Sequence, residues 1–293
     1  MQIEAHIVNA FVDERSGGNP AGVVINADRL TTPQKLAVAK RIGLSETAFV
    51  STSERATVKL EFFTPTQQIA HCGHATIATF SLLRARGLVP LGALTKETVD
   101  GIRHIQVSAN AVYMEQRAPT YHSIVPTSEL AQRVAASLGL PLGRISNTHG
   151  LTVVNTGNAF LMVHLPDEHT VASLTPDFAL VEAVSQALNL IGYYVFSQST
   201  REPGRHAGAR MFAPRYGIPE ESATGTAAGP LACLLHDHLG IADRQIRIEQ
   251  GWLMQPPSPS LIQIDLETND AGVSLLMVGG AAHVDRSTIV DIE

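Results

Sequence analysis

Proton-transfer and nucleophilic chemistry in this chain can gather at three short stretches. Glu46 lies in Leu44-Ser45-Glu46-Thr47-Ala48-Phe49-Val50, between a helix-stopping Gly43 and an apolar run. A carboxylate at such a junction can lean into a cleft, and a partly buried carboxylate can take up and return a proton. His71-Cys72-Gly73-His74 sets two imidazoles and a thiol side by side just ahead of a helical stretch. Glycine lets a ligand approach the backbone there, and the free N–H groups of a helix start attract an anion. Glu220-Glu221-Ser222 stand just before a second start of this kind, Gly225-Thr226.

Each of these residues also has a plain structural reading. Glu46 can be a surface carboxylate beside a capping Ser45, the glycines can simply permit tight turns, and acidic residues ahead of a helix suit its dipole. Cys72 can be an activated thiol or a small buried hydrophobe. Cys233, inside an apolar helical stretch, reads as inert core. His74 is better placed to carry a proton or touch a carboxylate than to bind metal. His71-x-x-His74 is not the i,i+4 pair of helical zinc sites, and His236-x-His238 has no second cluster, so no metal is expected. Phosphate-loop, GxSxG and GxGxxG patterns are missing, which argues against nucleotide and serine-hydrolase chemistry.

The elements that must hold these residues show in the hydrophobic pattern. The chain has 293 residues, 44% hydrophobic and 16% charged, enough for two folded domains. Its formal charge of −6 comes without a basic run, so neither nucleic acid nor an anionic membrane is an expected partner. Two cysteines cannot make a disulfide framework, and no apolar stretch approaches the roughly 20 residues of a membrane span. Reduced thiols and a cytoplasmic setting are therefore expected, and no signal peptide is visible at the N-terminus.

Strand-length runs of Val, Ile, Phe and Thr recur from Ile3–Asn9 to Ser274–Val284, separated by Gly, Pro, Asn or Asp. Helices are expected from a Thr32 cap with Pro33 to Gly43, from Pro126 to Gly139, and from Pro176 to Leu188. Two more start at Gly73 and Gly225, and both are apolar on nearly every side. A helix of that kind is wrapped on every side, most simply by a curved sheet.

The order of pieces repeats. Phe62-Phe63-Thr64-Pro65 leads to Gly73-His74-Ala75-Thr76, and Met211-Phe212-Ala213-Pro214 leads to Gly225-Thr226-Ala227-Ala228. The period is far too long for a solenoid and predicts two similar domains, with the division near Ala118–Ser123. The expected domains are residues 1–118, completed by a C-terminal strand at 278–293, and residues 119–277. If the two halves face each other, both helix starts line one cleft.

These motifs, with Val8-Asn9-Ala10-Phe11, Gly18-Asn19-Pro20-Ala21-Gly22-Val23, Ala223-Thr224-Gly225-Thr226-Ala227-Ala228-Gly229-Pro230-Leu231 and Gln250-Gly251, run nearly end to end. In that order and spacing they resemble the PhzF-like isomerases of phenazine biosynthesis. The resemblance implies an α+β, diaminopimelate-epimerase-like fold. In that fold two pseudo-symmetric domains are each a β-barrel around a central helix, usually in a homodimer. It implies cofactor-independent proton transfer on a small carboxylate-bearing substrate, with Glu46 as general acid/base and His74 and Glu221 as proton partners. Asn19, Ser45, Gly73, Ala75, Gly225 and Thr226 become the expected substrate contacts. Glu221 stands where the family usually has Asp, Ser222 where it has Pro, and Pro256 or Pro257 where Arg is frequent. Cys72-Gly73-His74 also resembles one half-site of the two-thiol proline racemases and diaminopimelate epimerases, but Ser222 falls at the place of the second thiol. A binding protein that kept the fold and lost activity is the remaining alternative.

Overall fold

The computed structural model describes residues 1–146 and 149–292. It divides into two compact units, Met1–Glu115 with Gly279–Glu293, and Gln116–Val278. The first unit opens with β1 (Gln2–Ala10), β2 (Asn19–Val24), α1 (Thr32–Ile42), β3 (Thr47–Ser51) and β4 (Val58–Phe63). It continues through β5 (Gln68–Ile69), α2 (Gly73–Ala85), β6 (Gly92–Thr98), β7 (Gly101–Val107) and β8 (Val112–Arg117). The second unit runs through β9 (Thr120–Ser123), α3 (Glu129–Ser137), β10 (Leu151–Asn155), β11 (Ala159–His164), α4 (Glu168–Ala172) and α5 (Phe178–Ala187). It goes on with β12 (Gly192–Ser197), β13 (Ala207–Ala213), β14 (Ile218–Glu221), α6 (Gly225–His238), β15 (Gln245–Gln250), β16 (Ser260–Asn269) and β17 (Gly272–Gly280). The last strand, β18 (Ala282–Asp291), returns to the first unit and pairs antiparallel with β1.

Within each unit the strands alternate direction in the same way. In the first, β1/β2 is antiparallel, β2/β3 parallel, β3/β4 antiparallel, β4/β6 parallel and β6/β7 antiparallel. In the second, β10/β11, β11/β12, β12/β13, β13/β15 and β15/β16 repeat that series. A parallel pair needs a crossover. Helix α1 supplies it between β2 and β3, α2 between β4 and β6, α4 with α5 between β11 and β12, and α6 between β13 and β15.

The two registers align. Thr47 stands opposite Phe63 as Tyr193 stands opposite Phe212. Ile69 stands opposite Phe62 as Glu221 stands opposite Met211. Lys96 stands opposite Val58 as Ile248 stands opposite Ala207. The fold is thus the expected α+β, epimerase-like one, with a curved sheet around one helix in each unit. Helix α2 is buried continuously from His74 to Leu83, and α6 from Ala227 to Leu235. The outer helices bury one side only: α1 packs Val38 and Ala39 into a core with Ile3, Val24, Phe49 and Val290. In the second unit α3 and α5 pack Val134, Ala135, Val181 and Val184 against Leu161, Val163 and Val195. No helix among the described residues is long and apolar enough to cross a membrane.

Three sequence expectations shift. The first helix is capped by Thr31, one residue before the expected cap, whose side chain accepts from the Gln34 N–H. The run Ser274–Val284 is two strands, β17 and β18, divided after Gly280. The hairpin β6–β7 was not foreseen, because Lys96, Glu97, Asp100 and Arg103 hide its alternation, yet Lys96 faces inward.

Candidate active site

In the first unit, the end of α1 and the start of α2 bring three functional side chains together. Gly43 ends α1 in the left-handed conformation (φ 70°) and turns the chain towards β3. The Glu46 carbonyl is pinned by the Gly22 N–H at 3.0 Å, which fixes the residue at the edge of the sheet. Its side chain points inward and the residue is only 7% exposed. Glu46 Oε2 lies 3.3 Å from His74 Nε2. The two atoms make a close electrostatic contact without the alignment of a hydrogen bond. On the other side of the ring, His74 Nδ1 is 3.6 Å from Cys72 Sγ. His74 is the second residue of α2 and is 5% exposed.

The helix starts differ in kind. Outer helices α1, α3, α4 and α5 all begin with a side-chain cap, from Thr31, Ser128, Asp167 and Asp177. The central helices α2 and α6 have none. A helix start leaves N–H donors without intrahelical partners, and the positive end of the dipole is there too. A helix start without a side-chain cap has N–H donors that an anion can meet. Of the remaining expected contacts in the first unit, Asn19 is buried at the start of β2, while Ser45 is exposed.

In the second unit, Glu221 ends β14 and its Oε2 accepts from the Thr224 hydroxyl at 2.5 Å. Gln250 ties this corner together. Its amide nitrogen donates to the Glu221 carbonyl (2.7 Å), and its amide oxygen accepts from the Thr224 N–H (3.1 Å) and the Tyr194 hydroxyl (2.9 Å). Burial pushes the Tyr194 hydroxyl well above its ordinary range, and the Glu221 carboxylate adds to the shift, so Tyr194 is a neutral donor. Glu220 has a different fate, gripped by both arms of Arg210 at 2.8 Å. Gln116 anchors the Gly225 carbonyl at 3.0 Å. Tyr194 and Thr224 were not singled out as site residues from sequence. Gln250 had been noted only as part of a motif, since a buried amide between neutral groups carries no charge signal.

The remaining candidates separate from these sites. His236 pairs with Asp237 at 2.8 Å, and His238 stacks on His149 with centroids 4.7 Å apart. Cys233 is fully buried in α6, and burial pushes its thiol far up. Among the described residues, the donor group compact enough for a metal ion is Glu46, Cys72 and His74, whose ligand atoms lie within 4.8 Å of one another. His71 is not part of it; its Nδ1 meets Lys96 Nζ at 3.4 Å instead. A helix dipole opposes a cation at this place and favours an anion.

A family profile described as phenazine biosynthesis-like protein matches residues 8–287. The chain belongs to that family. It is 30% identical over 267 residues to the trans-2,3-dihydro-3-hydroxyanthranilate isomerase of Pseudomonas aeruginosa, covering 86% of this chain and 87% of that protein. It is 32% identical to the uncharacterized isomerase YddE of Escherichia coli O157:H7, over 97% of each chain. Among solved structures, the PhzF-family protein of Bacillus anthracis superposes with a TM-score of 0.90 at 25% identity, covering 100% of both chains. A PhzF-like membership therefore rests on the whole chain, including both helix starts.

Proposed function

We propose that this PhzF-like chain is a cofactor-independent isomerase that moves a proton on a small carboxylate-bearing metabolite, with Glu46 as the carrier. The observation that supports it most is the buried Glu46 carboxylate, 3.3 Å from His74 Nε2 at a helix start that lacks a side-chain cap. In the proposed step Glu46 takes a proton from a carbon next to the substrate's unsaturated, carboxylate-bearing system. The C–H electron pair spreads into that system as enolate-like charge. The N–H groups and the positive dipole end of α2 stabilise that negative charge as it develops. Glu46 then returns the proton at another carbon, so the double bond moves and the atom count is unchanged. Between the two transfers the proton on Glu46 exchanges with solvent, so in heavy water the receiving carbon takes up label.

His74 serves as the proton partner that holds the Glu46 oxygen in place. Glu221 is the proposed second proton carrier, in a corner already set by Thr224 and Gln250. Asn19, Ser45, Gly73, Ala75, Gly225 and Thr226 are the proposed substrate contacts, and a homodimer in the cytoplasm is the proposed working form. The relative's named substrate suggests a dihydroaromatic amino or hydroxy acid as the first class to try. A second reading, favoured by the Cys72–His74 contact, makes Cys72 the base on one face of an epimerised carbon. It lacks a second thiol, since Ser222 stands at that place.

Incubation with small carboxylic acids in heavy water tests the reading, trans-2,3-dihydro-3-hydroxyanthranilate among them. Label entering at a carbon other than the one deprotonated supports a double-bond shift. Label entering at the deprotonated stereocentre alone supports the cysteine reading. Saturable binding with no label in any acid contradicts both.

A further inference from the structure

Lys96 is a lysine in the interior of the first unit. It sits on β6, is fully buried, and is not used by the proposed reaction. Its Nζ donates to Thr76 Oγ1 at 2.6 Å, and Thr76 Oγ1 donates in turn to the Cys72 carbonyl at 2.6 Å, one turn back at the very start of α2. The ammonium also faces His71 Nδ1 at 3.4 Å and the Phe62 ring at 5.1 Å. Among the described residues no carboxylate lies within ion-pair distance of it. A buried charge without a counter-ion is costly, and here the positive end of a helix dipole adds to that cost.

The twin unit shows that the fold does not need this lysine. The position matched to Lys96 is Ile248, opposite Ala207 as Lys96 is opposite Val58. The residue matched to Thr76, three beyond the glycine that opens the central helix, is Ala228. Both Ile248 and Ala228 are fully buried. The same place is therefore built from an apolar pair in one unit and from a Lys–Thr pair in the other, and the polar pair stands behind the helix start that carries His74, the neighbour of Glu46.

We propose that Lys96 is a charge-compensating positioning residue for the α2 start: an anion at Gly73–His74 calls up its ammonium form, so binding there takes up a proton. This rests on the reading that the α2 start holds the anionic group of the substrate. The groups that face Lys96 are His71, Cys72, Asp100 and Arg103. The Lys96 ammonium is lowered to about 7, chiefly by burial; Cys72 and Asp100 act against that lowering, and Arg103 contributes to it. Burial, Lys96 and Arg103 all push the His71 ring well below its ordinary range, so it faces Lys96 as a neutral acceptor. Near neutrality Lys96 is poised between its two forms, and an added negative charge at the turn tips it towards ammonium. By linkage, the proton must then strengthen anion binding by the same factor.

The test is an NMR titration of the full chain with lysine labelled at the ε-carbon, the Lys96 signal being assigned by its loss in Lys96→Met. It is run free and with saturating benzoate, anthranilate or sulfate. The expected result is a midpoint that rises by about one pH unit, a tenfold tighter hold on the proton. Affinity for the anion should then weaken about tenfold between pH 6 and pH 9 in the wild type and stay flat in Lys96→Ile/Thr76→Ala, which copies the twin's pair. A Lys96 midpoint that none of the three anions moves overturns the proposal, and the wild-type titration decides this even if the variant fails to fold. A pH slope that persists in a folded double variant overturns it too. A Lys96 response without deuterium entry in any acid refutes the isomerase reading alone, and deuterium entry with an unresponsive Lys96 refutes this inference alone.

Discussion

The two units share one strand order, one series of pairings and one uncapped central helix, yet they carry polar side chains at different matched points. The first unit has Glu46 just ahead of β3, where the second has Gly192. A side chain could not stand there: a Cβ on Gly192 would lie 2.2 Å from the Phe212 carbonyl oxygen. The second unit has Glu221 where the first has Ile69. Behind the helix start, the first has Lys96 and Thr76 where the second has Ile248 and Ala228. The framework is common, and the side chains that set the units apart are polar and gathered near a helix start. Repetition accounts for the shape, and the departures from repetition hold the residues proposed for the chemistry.

Substitutions that erase one of these departures should tell the units apart. The largest change in stability is expected for Gly192→Ala, which forces a Cβ onto backbone and should cost ~3 kcal/mol or more, read as a lower midpoint in urea. Next comes Lys96→Ile/Thr76→Ala. The folded Lys96 ammonium titrates at about 7, well below its ordinary 10.5, so the unfolded chain binds the extra proton between those values. Wild-type stability should therefore climb as pH rises from 7 towards 10, while below 7 the full cost of the buried charge is present. The double variant should be more stable than the wild type at pH 6 by a few kcal/mol, an advantage that shrinks by pH 10; melting curves at the two pH values check it.

Glu221→Gln keeps the Thr224 contact but removes the second proton carrier, and should slow deuterium exchange about 10²-fold, the lower end for one general acid or base. Cys72→Ala should change the exchange rate by less than about threefold if the thiol is a spectator. A loss as large as that expected for Glu46 would transfer the base role to the thiol and align the chain with the two-thiol epimerases.

Much of this was legible in the residues. The all-round apolar helices at Gly73 and Gly225 announced their central place, because no exposed helix can carry Ile77, Phe80, Leu82 and Leu83 together. The repeat of Phe-x-Pro followed by a glycine-started helix announced the two units. Glu46 and His74 were legible as candidates, and their 3.3 Å contact was not, since it depends on how α1 delivers the chain to β3. Lys96 escaped notice because a lysine in a charged stretch reads as solvent-facing, and only the register of β6 against β4 turns it inward. Gln250 was hidden for the opposite reason: a neutral amide gives no sign of the four groups it joins.

The account stands on the Glu46 carboxylate as the proton carrier. The direct measurement is the rate at which solvent deuterium enters a substrate acid with wild-type protein and with Glu46→Gln, compared at equal folded concentration. A fall of ~10²–10⁴-fold with unchanged melting behaviour is the predicted result. A folded Glu46→Gln protein that exchanges label as fast as the wild type would contradict it.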